Sequence, residues 1–135
     1  MPTPFPNLTV SRRRAFDRPI ISFGAVEQMI SEMYTDWLSM RSVSLELLAR
    51  LDEVELLTGR VPPAARRDVS VIKTVNDEAL FRVADRAIQV HGGAGLLTAT
   101  GLEKNFRVAR NLRIPAGTTE IQRSGIARAI AEHGL

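Results

Sequence analysis

From Ser22 onward the apolar residues recur at helical spacing. Val26, Met29, Ile30, Met33, Trp37, Met40, Leu47, Leu51 and Val54 fall at steps of three, four or seven, which predicts one long amphipathic helix over about residues 22–57. Ser22 is its expected N-cap, and Gly59 followed by Pro62 and Pro63 is its stop signal. A second stripe runs through Val69, Ile72, Val75, Ala79, Val83, Ala87 and Val90, with Arg66, Arg67, Asp77, Arg82 and Asp85 mostly off it. It ends at His91-Gly92-Gly93-Ala94-Gly95, read as a loop because each glycine costs a helix about 1 kcal/mol relative to alanine. A short helix is expected over Leu102 to Leu112. The break at Ile114-Pro115-Ala116-Gly117 then leaves Thr118 or Thr119 to cap a last helix running towards Gly134.

No segment alternates as a strand does, so the expected fold is all-α, an antiparallel helical bundle. Two long helices, one short and one medium fall short of four long ones, so the first bundle helix is expected to be largely missing. The stripe on the first long helix then needs a cover, either from another chain or from a sharply rearranged leader. The domain reading is a proline-rich leader over residues 1–11, with Pro2, Pro4 and Pro6, followed by one helical domain over residues 12–135.

Composition narrows the chemistry. At 135 residues, with 44% apolar side chains and no cysteine, one core is possible without staples, while disulfides, thiolate metal sites and a cysteine nucleophile are excluded. Two histidines far apart do not suggest a metal site. The apolar runs are short and broken by charge, and the start lacks a signal-peptide layout, so the expectation is a cytoplasmic protein away from membranes. The net charge of +3 is entirely local, since Arg12, Arg13, Arg14 and Arg18 face only Asp17 within the first 18 residues and the rest of the chain is balanced. With no aromatic platform or reading helix beside it, this cluster does not suggest nucleic acid.

Three segments carry local signals. They are Arg13-Arg14-Ala15-Phe16-Asp17-Arg18-Pro19-Ile20 leading into Phe23, then Gln89-Val90-His91-Gly92-Gly93-Ala94-Gly95, and Glu103-Lys104 to Arg107 followed by Gly117-Thr118-Thr119-Glu120-Ile121-Gln122-Arg123. Glycines let a backbone approach a ligand closely, and a helix start offers free N–H groups to an anion. In this order and register the segments resemble the C-terminal helical domain of the acyl-CoA dehydrogenase family, over about residues 12–132. The resemblance implies a flavoenzyme domain that contributes to FAD binding and to a subunit interface. It implies that Arg13 reaches an FAD pyrophosphate, that Phe16 is the accompanying aromatic, that Gln89, Gly92 and Gly93 hold the adenosine-pyrophosphate half, and that Thr118 and Glu120 contact the same cofactor. It also implies a homo-oligomer, or a hetero-oligomer with a flavin-binding dehydrogenase subunit, that meets acyl-CoA only through such a partner.

The chain departs from the family pattern at several positions. The usual catalytic glutamate is Ala116, which cannot accept a proton, so no catalytic residue is assigned. Asp17 stands where the family has glycine, and Gly24 where it has glutamine. The resulting expectation is a partner-dependent or truncated acyl-CoA dehydrogenase subunit, with a non-enzymatic oligomerisation or regulatory module as the alternative. Plainer roles are expected for other residues: solvated arginines at 12 and 14, a packing role for His91, core positions for Met29, Met33, Trp37 and Met40, and an i, i+4 ion pair between Glu103 and Arg107.

Overall fold

The computed structural model describes residues 9–59 and 65–134. The leader prolines, the Pro62-Pro63 stop and the side chain of Val54 lie outside the described residues. The elements are α1 (Thr9–Arg12), β1 (Arg14–Ala15), β2 (Arg18–Pro19), α2 (Gly24–Thr58), α3 (Ala65–His91), α4 (Leu102–Leu112) and α5 (Thr119–His133), with short 3-10 turns at Ile20–Ser22, Gly92–Leu96 and Thr98–Thr100. The fold is all-α apart from one two-residue hairpin.

α3 is the central element, and α2, α4 and α5 each pack on it. The α2–α3 pair is antiparallel, because Glu32 meets Arg86, Asp36 meets Arg82 and Ser44 meets Asn76. α5 also runs against α3, with Arg123 near Glu78 and the Gly134 carbonyl accepting from Arg67. The core sits at one end, where Val10, Ile20, Met33 and Val90 form a buried cluster ringed by Ala15, Phe23, Val26, Met29, Ile30, Val83 and Ala87. Ala79 and Ala109 are almost fully buried on α3 and α4. Residues that small leave room for the helix backbones to approach one another.

Local signals account for most helix ends. Gly59 adopts φ +69° just past α2, the left-handed conformation that terminates helices. Thr118 is extended and its hydroxyl accepts from the Ile121 N–H, capping α5. Two expectations change. Ser22 does not cap α2, since its hydroxyl donates to the Pro19 carbonyl within a 3-10 turn and α2 starts at Gly24. The glycine cluster is not an open loop, because Gly92–Leu96 forms a 3-10 turn directly after α3.

A third change concerns burial. Asp77, expected off the apolar stripe, is buried, because Lys73 one turn away pairs with it and also donates to the Leu112 carbonyl at 2.8 Å. Met33 is core as expected, whereas Trp37 and Met40 are half-buried and line an open groove. A second apolar stripe on α2, comprising Tyr34, Leu38, Leu45 and Leu48, is 42–53% exposed. The described residues therefore leave one bundle face bare. No helix among them is long and apolar enough to cross a membrane.

Candidate functional site

The first group of candidate residues is built by the hairpin. β1 and β2 pair antiparallel, Arg14 with Pro19 and Ala15 with Arg18, around a two-residue turn in which Phe16 and Asp17 have φ +47° and +61°. Positive φ at both central positions gives the connection whose twist matches paired strands. Asparagine, aspartate and glycine tolerate it, while an aromatic there is strained. Phe16 consequently projects 90% exposed, touching only the edge of Phe23 at 6.2 Å between ring centroids. Arg18 covers the Phe23 face at 3.9 Å, and Arg14 donates to the Asp17 carbonyl. Arg14 is thus solvent-exposed, as expected, and also bridges the turn.

Arg13 leaves this hairpin in the direction of α3. Its Nη1 donates to the His91 carbonyl at 2.6 Å, and a Cβ added at Gly92 would lie 3.6 Å from both terminal nitrogens. Gly92 has φ +59°, so glycine there permits the turn of the backbone beside which the guanidinium lies. His91 itself is structural, since its Nδ1–H donates to the Ala87 carbonyl at 2.8 Å. Gln89 is exposed on the last turn of α3, and Gly93 is exposed in the turn that follows. Gly95 is buried, where a Cβ would stand 2.8 Å from the Ile88 carbonyl oxygen. Arg13, Gln89, Gly92 and Gly93 are therefore brought to one end of α3, with Phe16 on the adjoining hairpin.

Thr118 and Glu120 form a second group. Ala116 and Gly117, with φ +57° and +94°, turn the chain sharply into α5, and the Gln122 side-chain amide donates to the Ala116 carbonyl at 2.8 Å. The Glu120 carboxyl is held below the usual carboxylate range by its own backbone N–H, by the Thr118 hydroxyl, and by Arg113 and Arg123. Thr119, between the two candidates, is buried, and its hydroxyl has no hydrogen-bond partner among the described residues.

Sequence reading had not singled out Glu78. Its Oε1 accepts from Arg113 Nε at 3.0 Å and Nη2 at 2.8 Å, with Arg123 at 3.8 Å. Arg113 also lies over Phe81 at 5.3 Å, and Phe81 packs on Phe106 at 5.1 Å. Glu78 thereby ties Arg113, just past the end of α4, to Arg123 on α5. An acid on α3 gives no sequence signal for partners 35 and more residues later in the chain. The expected Glu103–Arg107 pair is present at 3.0 Å.

The two groups do not converge within the chain. Glu78 and His91 are thirteen residues apart on α3, about 20 Å along a helix axis. The hairpin end presents arginine forks suited to an anion. The α5 end instead presents an ionised carboxylate and hydroxyls, which suit hydroxyl and N–H donors.

Comparison with known proteins identifies the family. Residues 9–131 match the family model described as acyl-CoA dehydrogenase, C-terminal domain. The chain is 33% identical over 120 residues to the acyl-CoA dehydrogenase FadE27 of Mycobacterium tuberculosis, covering 89% of this chain and 32% of that protein. It is 32% identical over 105 residues to acyl-CoA dehydrogenase family member 11 of Rattus norvegicus, covering 72% of this chain and 13% of that one. The solved FAD complex of PigA superposes with a TM-score of 0.80 at 25% identity, over 90% of this chain and 30% of that one. The chain thus spans less than a third of the length of the relatives it matches.

Proposed function

Since the chain belongs to the acyl-CoA dehydrogenase family and corresponds to its C-terminal helical domain, we propose that it serves as the FAD-contributing, interface-forming part of a flavin-dependent acyl-CoA dehydrogenase. It would act with a partner subunit that supplies the acyl-CoA site. The observation that carries this reading is the seating of Arg13 against Gly92, with Nη1 anchored on the His91 carbonyl. That anchor holds a planar donor fork at the end of α3 without using the whole of it, as a pyrophosphate contact requires. Phe16, projecting beside it, offers an aromatic face, and the exposed Gln89 and the backbone of Gly92 and Gly93 complete the group.

The residues present fit part of an FAD. The hairpin end suits the pyrophosphate, and Thr118 with Glu120 suits hydroxyl donors of the cofactor. With the two groups about 20 Å apart along α3, the fit is to a cofactor shared between chains. When bound, FAD supplies the acceptor for the hydride leaving the acyl β-carbon. This chain's residues would hold and orient it. The α-proton must go to a base on another chain or segment, because the family's glutamate position is Ala116.

Ala116 also favours a second reading, a non-enzymatic module that oligomerises with or regulates a related dehydrogenase. Co-expression with a flavin-containing dehydrogenase encoded nearby separates the two. The first reading expects a yellow complex whose flavin affinity falls roughly 10–100-fold on Arg13→Ala. A colourless chain that self-associates and gains no flavin with such a partner overturns it in favour of the second.

A further inference from the structure

The face of α2 turned to α3 carries Met33, Asp36, Met40 and Ser44. Roughly 100° further round the helix lies a second row, Leu38, Arg41, Leu45, Leu48 and Asp52, spaced alternately by three and four residues. That alternation is the a and d pattern of a coiled-coil seam. Leu38, Leu45 and Leu48 are 42%, 53% and 48% exposed, and Arg41 and Asp52 are exposed with no ion pair among the described residues. Ser42 and Ala49 flank the row and are small enough to let a partner backbone come close. A second helix laid along this row removes the leucines from water.

The order of the charges decides which partner fits. Beside a parallel second copy, each Arg41 would face Arg41 and each Asp52 would face Asp52, like charges that repel. An antiparallel copy, related by a two-fold axis between Glu46 and Leu47, sets Leu45 opposite Leu48 and Arg41 opposite Asp52, each contact occurring twice. We propose that α2 docks against α2 of a second copy in this antiparallel register, with two Leu45–Leu48 layers at the centre and an Arg41–Asp52 ion pair at either end. The charges also fix the register. A slip of one heptad sets Arg41 against Leu45, or Asp52 against Leu48, and leaves a charge without a partner. From Leu38 to Asp52 the seam is about 21 Å long, which fits a weak, reversible dimer. The pairing goes beyond the flavin reading and does not rest on it, since its residues belong to neither the Arg13 nor the Glu120 group.

A charge swap in the full chain, read by analytical ultracentrifugation, tests the pairing. The wild-type chain is expected to dimerise with a Kd of roughly 10–100 μM. Arg41→Asp alone, or Asp52→Arg alone, brings like charges together at both ends of the seam and should weaken the dimer by about tenfold or more. Mixing those two variants pairs opposite signs again in a heterodimer, and combining both changes in one chain does so in a homodimer. Each should recover the wild-type affinity. Orientation is read with Leu38→Cys, since the chain has no cysteine of its own. In the antiparallel register the two thiols lie about 25 Å apart along the seam and should form no disulfide under mild oxidant, whereas parallel copies would crosslink. A wild-type chain that is monomeric at about 200 μM overturns the proposal. So does a dimer indifferent to the charge reversals, a pair of variants that mixing does not restore, or a Leu38→Cys crosslink. None of these outcomes would alter the reading of the Arg13 site.

Discussion

The Arg13 guanidinium rests against Gly92, 3.6 Å from where a Cβ would stand, with its Nη1 bonded to the His91 carbonyl at 2.6 Å. Residues 78 positions apart are thus joined at a point where the backbone has φ +59°. Gly92→Ala must place a Cβ in a left-handed conformation, costing about 1 kcal/mol, while that Cβ would meet the arginine only at ordinary contact distance. Thermal unfolding should show the loss, and any flavin affinity should fall with it. Gly93→Ala is the control, since its Cβ would meet nothing within 4 Å; equal destabilisation by both changes would contradict the assignment.

Gly95 is constrained by space. A Cβ there would stand 2.8 Å from the Ile88 carbonyl oxygen and 3.0 Å from its Cα, both backbone atoms that cannot swing aside. Gly95→Ala is expected to destabilise the fold by about 2 kcal/mol, read as a lower urea midpoint with an unchanged slope. A midpoint equal to wild type would show that the turn after α3 opens freely.

Glu78 is expected to matter more than its surface neighbours. Glu78→Gln removes the charge that holds Arg113 and leaves that guanidinium about a quarter exposed without its ionised partner. The expected cost is about 1–2 kcal/mol, discounted from a buried pair because both side chains still see solvent. A double-mutant cycle with Arg113→Ala should return a coupling above about 0.5 kcal/mol. Strict additivity would show that the pair does not join α3 to α4.

The Glu120 carboxyl has a native pKa below its unfolded value, first through its own N–H and then through the Thr118 hydroxyl. A lowered carboxyl pKa stabilises the native state above the unfolded value near 4.5, and that contribution disappears as the pH falls through the lower native value. Thr118→Val removes the hydroxyl contact and the helix cap together. Its Glu120 titration, followed by NMR, should move up towards the ordinary range, and the native state should lose stability most clearly above pH 5. A Glu120 titration unmoved by this change would leave the hydroxyl without a role.

How much was legible beforehand follows the range of each interaction. The four main helices, the Thr118 cap and the glycine stop at Gly59 depend on residues within a turn or two, and the α4 limits of Leu102 and Leu112 coincide with the expected ones. The Ser22 cap failed because a local competitor, the Pro19 carbonyl, took its hydroxyl. The motif order was likewise a property of the chain alone.

The sequence by itself determined the helices, their periodic faces, their stops and the family they resemble, because propensity, capping and left-handed glycines act between neighbours along the chain. Only the tertiary structure decided that Arg13 meets Gly92, that Asp77 is buried, and that Glu78 meets one arginine just past α4 and another on α5. It also separated the candidate cofactor residues into two groups along α3 and, among the described residues, left Leu38, Leu45 and Leu48 of α2 exposed. Those outcomes depend on which helix faces come within a few ångströms of each other. Charge pairing and burial fall off over that distance, so one-dimensional spacing does not specify them.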